Sequence, residues 1–178
     1  YVIHGHARNE EDEKDIKEYF FTNLPADVNA VNGFYERLYL HQSYCWYAFI
    51  RQDFLMYYRY AQKWVDLYKE NPFLKTIETG HYIKGMQALL NAHFDLRNFK
   101  AFEKTLKHFE AYEQTDEAKH HDNFRAHTSI YINSSRINGH LMKGTYKDGL
   151  KLVPDIEKKL NDYALFVDQH RILVFNYK

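Results

Sequence analysis

The sequence predicts an all-α chain built as a solenoid of antiparallel helical hairpins. Three observations carry that expectation. Gly and Pro are scarce, at 7 and 3 residues, whereas Tyr and Phe reach 16 and 13, so the chain is poor in turns and rich in large apolar rings. Apolar residues recur at spacings of three and four, which line up on one face of a helix. A stretch of that kind returns three times, after a short polar break each time, starting at Phe54, Phe99 and Tyr146.

Taken in order, residues 10–24 are charge-rich, with Ile16, Tyr19, Phe20 and Leu24 on one side and Pro25 as a stop. This segment reads as the second helix of an earlier, truncated hairpin. The first complete hairpin turns at Arg51-Gln52-Asp53, and from Phe54 its stripe runs through Tyr57, Tyr58, Ala61, Trp64, Val65 and Tyr68 before Pro72 ends it. The second turns at Arg97-Asn98 and continues with Phe102, Leu106, Phe109 and Tyr112; Thr115-Asp116 closes it, with Asp116 expected to cap the helix that follows. The third turns at Lys143-Gly144-Thr145 and continues with Gly149, Leu150, Val153, Ile156 and Leu160. Pro154 falls inside that stripe and should kink the helix or restart it, helped by Asp155 and Glu157.

The three starts lie 45 and then 47 residues apart, room for two helices of roughly twenty residues at about 1.5 Å per residue. Offsets of three, seven and ten from each start superpose Tyr57, Phe102 and Gly149; Ala61, Leu106 and Val153; and Trp64, Phe109 and Ile156. Asp53, Asn98 and Thr145 sit where a side chain can accept from the free amides of a starting helix. The expected organisation is one repeat domain over residues 1–178, about seven or eight helices in all. It comprises a partial hairpin at 1–26, hairpins at about 27–71, 72–115 and 116–162, and the start of another at 163–178, where residues 170–177 open a further first helix.

Composition narrows the partners. Lys plus Arg equals Asp plus Glu at 24 each, so no net field favours nucleic acid or an anionic membrane surface. The longest strongly apolar stretch, residues 44–50, is too short to cross a bilayer. Cys45 is the single cysteine and cannot form an internal disulfide; with its setting between Tyr44 and Trp46 it reads as a buried thiol in a reducing, cytoplasmic compartment.

The turns Asp53-Phe54, Asn98-Phe99 and Gly144-Thr145-Tyr146, each followed by an aromatic or aliphatic ladder, resemble the turn between the paired helices of tetratricopeptide repeats. The resemblance covers nearly the whole chain and implies a right-handed α-α superhelix. The chain departs from that family where small residues are expected, with Tyr57 and Phe102 at positions where only Gly149 conforms, and in a period longer than the usual 34 residues. It is most similar to divergent, long-helix repeat proteins of bacteria. A HEAT-like array, with repeats of about 40–47 residues, is the alternative fold.

In arrays of that kind the first helix of each hairpin lines a concave face that holds an extended peptide or a partner helix. Carried over by register, the resemblance puts Tyr39, Gln42 and Trp46 there in the first hairpin, Lys84, Gln87 and Asn91 in the second, and Tyr131, Ser134 and Asn138 in the third. Side-chain amides suit the main chain of an extended ligand, and Tyr and Trp offer flat apolar area. An ordinary solvated face is the plainer reading of the same rows.

Histidine, at 11 residues, raises metal chemistry. Glu78/His81 and Glu117/His120 have the Glu-x-x-His spacing that di-iron bundles use, but Gly80 and polar neighbours place both near helix starts rather than in a dry core. The second pair, with His121, Asp122 and His127, reads better as a charged first turn, and His4-Gly5-His6 as a loose end. His93 and His140 take matching places on the packed side and read as core histidines. No zinc-protease, phosphate-loop or nucleophile-elbow motif is present.

The expected function is therefore a non-enzymatic scaffold for a protein or peptide ligand, with no cofactor, no nucleic-acid contact and no membrane contact, and with room for a homo-oligomer. The alternatives are a regulatory sensor domain of a larger signalling or transcription protein, its groove filled by a peptide or another domain, and, remotely, a His/Glu metal-dependent enzyme.

Overall fold

The computed structural model describes residues 7–25 and 31–166, and among these every regular element is a helix. The His4-Gly5-His6 segment and the helix expected at residues 170–177 lie outside the described residues. The helices gather into two compact units, one within Tyr1–Pro72 and one within Phe73–Lys178.

The first unit contains α1 (Glu10–Asn23), α2 (Phe34–Ile50) and α3 (Phe54–Glu70). Asn9 starts α1 by accepting from the Asp12 amide at 2.8 Å, and four acidic residues in its first turn complement the helix dipole. Helix α1 runs antiparallel to α2: the Arg51 guanidinium at the end of α2 pairs with Glu13, and Phe20 packs on Tyr47 with ring centroids 5.2 Å apart. Ile16 is buried as expected, but Tyr19, placed on the same side by the pattern, is 70% exposed. Its neighbour Phe21 instead meets Tyr47 edge-on at 5.4 Å. Helices α2 and α3 form the first hairpin, tied along its length by Arg37 to Glu70, Tyr44 stacked on Tyr60 at 4.5 Å, and Cys45 near the Tyr57 carbonyl.

The second unit contains α4 (Leu74–Ile77), α5 (Thr79–Asp95), α6 (Phe99–Glu113), α7 (Asp116–Lys119), α8 (Asp122–Lys143), α9 (Tyr146–Leu150) and α10 (Val153–Asp162). Its centre is α8, which packs against α5, α6, α7, α9 and α10. Antiparallel pairing of α5 with α6 is fixed by Tyr82, whose hydroxyl lies 3.1 Å from His108 and whose ring meets Tyr112 edge-on at 4.8 Å. Arg136 to Glu110 at 2.8 Å and Lys143 to Glu103 hold α8 antiparallel to α6.

The three helix starts expected at Phe54, Phe99 and Tyr146 are the first residues of α3, α6 and α9. The turns before them share one hydrogen-bond pattern. The amides of Asp53, Asn98 and Thr145 each donate five residues back, to the carbonyls of Ala48, His93 and His140. The amides just before them, of Gln52, Arg97 and Gly144, donate to Phe49, Phe94 and Leu141. This is the Schellman ending, and it requires a left-handed residue at its centre. Gln52, Arg97 and Gly144 have φ of 56°, 54° and 69°, so only the third turn carries the residue with no steric penalty there.

The caps divide in the same way. Asp53 and Asn98 accept from the amides of Met56 and Ala101, as expected, whereas Thr145 makes no cap and turns its hydroxyl to His140 Nδ1 at 2.8 Å. Between the second and third hairpins the cap is Thr115, accepting from Ala118, in place of the expected Asp116. Pro154 restarts the helix: α9 stops at Leu150 and α10 begins with proline in its first turn, where its missing amide costs nothing.

Gln52→Gly should raise the unfolding free energy by roughly 0.5–1 kcal/mol, and Gly144→Ala should lower it by about 1 kcal/mol. Urea melts of the two variants should therefore move in opposite directions. Equal displacement in one direction would show that the central φ is not what these turns depend on.

Candidate interaction surface

Helix α2 carries large apolar side chains on both its buried and its exposed side. Its inner side buries Leu38, Tyr44, Cys45, Tyr47 and Ala48, and α1 and α3 pack against it from that side. On its outer side Tyr35, Tyr39, Gln42, Trp46 and Phe49 follow each other at spacings of four and three, within a single narrow stripe. The four aromatic members are exposed, Tyr39 at 54% and Trp46 at 56%. Trp46 meets Phe49 edge-on at 6.3 Å, and Phe49 leans on the buried Tyr57 at 6.1 Å, so the C-terminal end of the stripe is braced from the core. Tyr35 and Phe49 were not among the residues expected on this face. The same 4-3 spacing, extended one step outward from Tyr39 and from Trp46, points to both.

The other two rows differ. In the second hairpin Lys84 is exposed and Gln87 and Asn91 are half-buried, and all three share one face of α5. In the third, Ser134 is half-buried, but Tyr131 and Asn138 are buried, contrary to their expected place on an open face. The reason is the position of α8: five helices pack around it, so a residue that register assigns to an open side is covered by neighbours. Tyr131 stacks on His127, with centroids 5.9 Å apart and planes 8° off parallel.

Cys45 and His93 serve packing. Burial pushes the Cys45 thiol up to about 12, so it is a poor nucleophile, and its S–H points to the Tyr57 carbonyl at 4.0 Å. His93 is buried, as expected, and desolvation lowers its pKa. His140, expected at the matching place of the next repeat on the packed side, is half-exposed, and its Cβ lies 3.2 Å from where a Cβ on Gly149 would sit. That approach explains why the third repeat carries glycine where the others carry Tyr57 and Phe102.

The Glu78/His81 pair stands at the start of α5 with His81 Nε2 3.9 Å from Glu78 Oε2, and burial is the leading cause of a lowered His81 pKa. Glu117 lies in the separate one-turn helix α7, with His120 as that helix's C-cap, so the pair is not in the first turn of the long helix as expected. His121 caps α8, its Nδ1 accepting from the Asn123 amide at 3.2 Å. Among the described residues no three His, Cys, Asp or Glu side chains gather to hold a metal ion. No described helix is long and apolar enough to cross a membrane.

No family model, curated protein or solved structure matches this chain. Its function has to be read from its own residues.

Proposed function

We propose that this chain is a non-catalytic interaction module of tetratricopeptide-like hairpins, and that the outer face of α2 receives a partner helix or extended peptide. The observation that carries the reading is the stripe of Tyr35, Tyr39, Trp46 and Phe49. The inner side of α2 is already packed, yet the helix also carries four large, exposed rings on its outer side, more apolar surface than its own hairpin buries. Tyr and Trp are the residues that concentrate binding energy at interfaces, because they cover large area with few rotatable bonds. The 4-3 spacing matches the seam along which one helix reads another. The three like turns, each a Schellman ending before an aromatic start, support the reading of the chain as repeated helical hairpins.

The experiment is an affinity capture from the source cells, with the double variant Tyr39→Ala/Trp46→Ala run against the unsubstituted chain. Both side chains are exposed, so the variant should keep its melting midpoint within the range of ordinary surface substitutions, about 0.5 kcal/mol. It should lose the partner by at least tenfold, because truncating interface anchors costs about 2 kcal/mol or more each. Equal recovery of the same partner by both chains would count against the α2 face.

A further inference from the structure

We propose that the first unit carries a second site, unconnected with the aromatic stripe: a pocket between α2 and α3 that binds an oxyanion, carboxylate or phosphate, through Arg37, His41 and Lys63. The pocket has a volume of about 410 Å³, and Val31, Asp66, Leu67 and Glu70 complete much of its wall. A space of that size takes a small organic molecule rather than a bare ion. On α2 the pocket residues Arg37 and His41 lie four apart, on the side of the helix away from Tyr39 and Trp46.

The case rests on which polar groups the protein already satisfies. The acids are engaged. Glu70 accepts from Arg37 Nη2 at 2.5 Å, and Asp66 accepts from Gln62 at 2.9 Å and pairs with Lys69 at 2.6 Å. The unmet groups are all nitrogen. Arg37 Nε and His41 Nδ1 are cut off from solvent and have no hydrogen-bond partner among the described residues. His41 is only 6% exposed, and its imidazole lines the pocket. Lys63 Nζ sits 5.2 Å from the Tyr60 ring centroid and makes no ion pair among the described residues. A buried donor left unpaired costs about 1–3 kcal/mol, and two such nitrogens beside one cavity, with the exposed ammonium of Lys63 at its edge, suit an acceptor-only ligand with two or more oxygens.

The electrostatics agree. Desolvation, then Lys63 and Arg37, hold His41 down at about 4 against the weaker opposite pull of Glu70. An anion among these groups opposes that lowering and raises the His41 pKa, and the ring can donate to it from Nδ1.

The test is a histidine side-chain NMR titration of the full chain, with His41 assigned by the loss of its signals in His41→Gln. Sodium acetate and inorganic phosphate are added separately, each against sodium chloride of equal ionic strength. The expected result is a saturable shift of the His41 ring signals with at least one of the two anions, with the His41 pKa rising by about one unit. Saturation by acetate alone identifies a carboxylate site, and by phosphate alone a phosphate site. Lys63→Gln, a change at an exposed position, should weaken that binding about threefold to fivefold without loss of fold. Shifts no larger than those with chloride, or an undiminished affinity in Lys63→Gln, would overturn the proposal. The aromatic-face capture is read on different residues, so failure of either leaves the other standing.

Discussion

Phe109→Ala should destabilise the second unit by about 3–5 kcal/mol, the cost of emptying a fully enclosed aromatic site. Phe109 has no exposed surface, and its ring stacks on Tyr112, which in turn meets Tyr82 across the α5–α6 pair. The surrounding groups have little freedom to close the gap, because Tyr82 is also fixed by its contact with His108. The loss is a large share of the total stability of a domain this size, commonly 5–15 kcal/mol. Far-UV circular dichroism against urea measures it, because both tryptophans, Trp46 and Trp64, lie in the other unit. Lys104→Ala, an exposed position on the same helix, is the control and should stay within about 0.5 kcal/mol. A Phe109→Ala loss below about 1 kcal/mol would mean that α6 does not pack through this face.

Acidification should weaken the first unit well before its carboxylates protonate. His41 titrates at about 4 when folded, chiefly because burial disfavours its charge and secondarily because Lys63 and Arg37 do. The ordinary value is about 6.5. The folded value is therefore depressed, and between those two values the unfolded chain binds the proton that the folded chain refuses, so stability rises with pH through that window. The contribution is present above about pH 6.5 and is lost as pH falls towards 4. From pH 7.5 to pH 5 the loss from this one group is about 2 kcal/mol. His93, also lowered by burial, acts in the same direction in the second unit. Urea melts followed by tryptophan fluorescence report on the first unit alone, and His41→Gln should remove most of the slope between pH 5 and 7.5. If the slope persists in that variant, another group is responsible.

The sequence was sufficient for what depends on neighbours along the chain. Helical period, start and cap are local, so Phe54, Phe99 and Tyr146 could be read as helix starts, Asp53 and Asn98 as caps, and Pro72 and Pro154 as a stop and a restart. The repeat also identified the tenth position after each start as core, and Trp64, Phe109 and Ile156 are all buried. Seven residues after each start the same rule weakens: Ala61 is enclosed, but Val153 is 37% exposed, because the third helix is broken into α9 and α10 just before it.

What covers a helix from outside is not local, and only the tertiary structure decided it. Periodicity defines a face but carries no information on whether one neighbour or five will pack there. Tyr39 and Trp46 are therefore more than half exposed on α2, while Tyr131 and Asn138, placed by the same register, are enclosed on α8. The pocket was equally invisible in the sequence. Arg37 and His41 become joined with Lys63, Asp66 and Glu70 only when α3 folds back along α2, and their unmet nitrogens follow from which acid each base reaches in that hairpin.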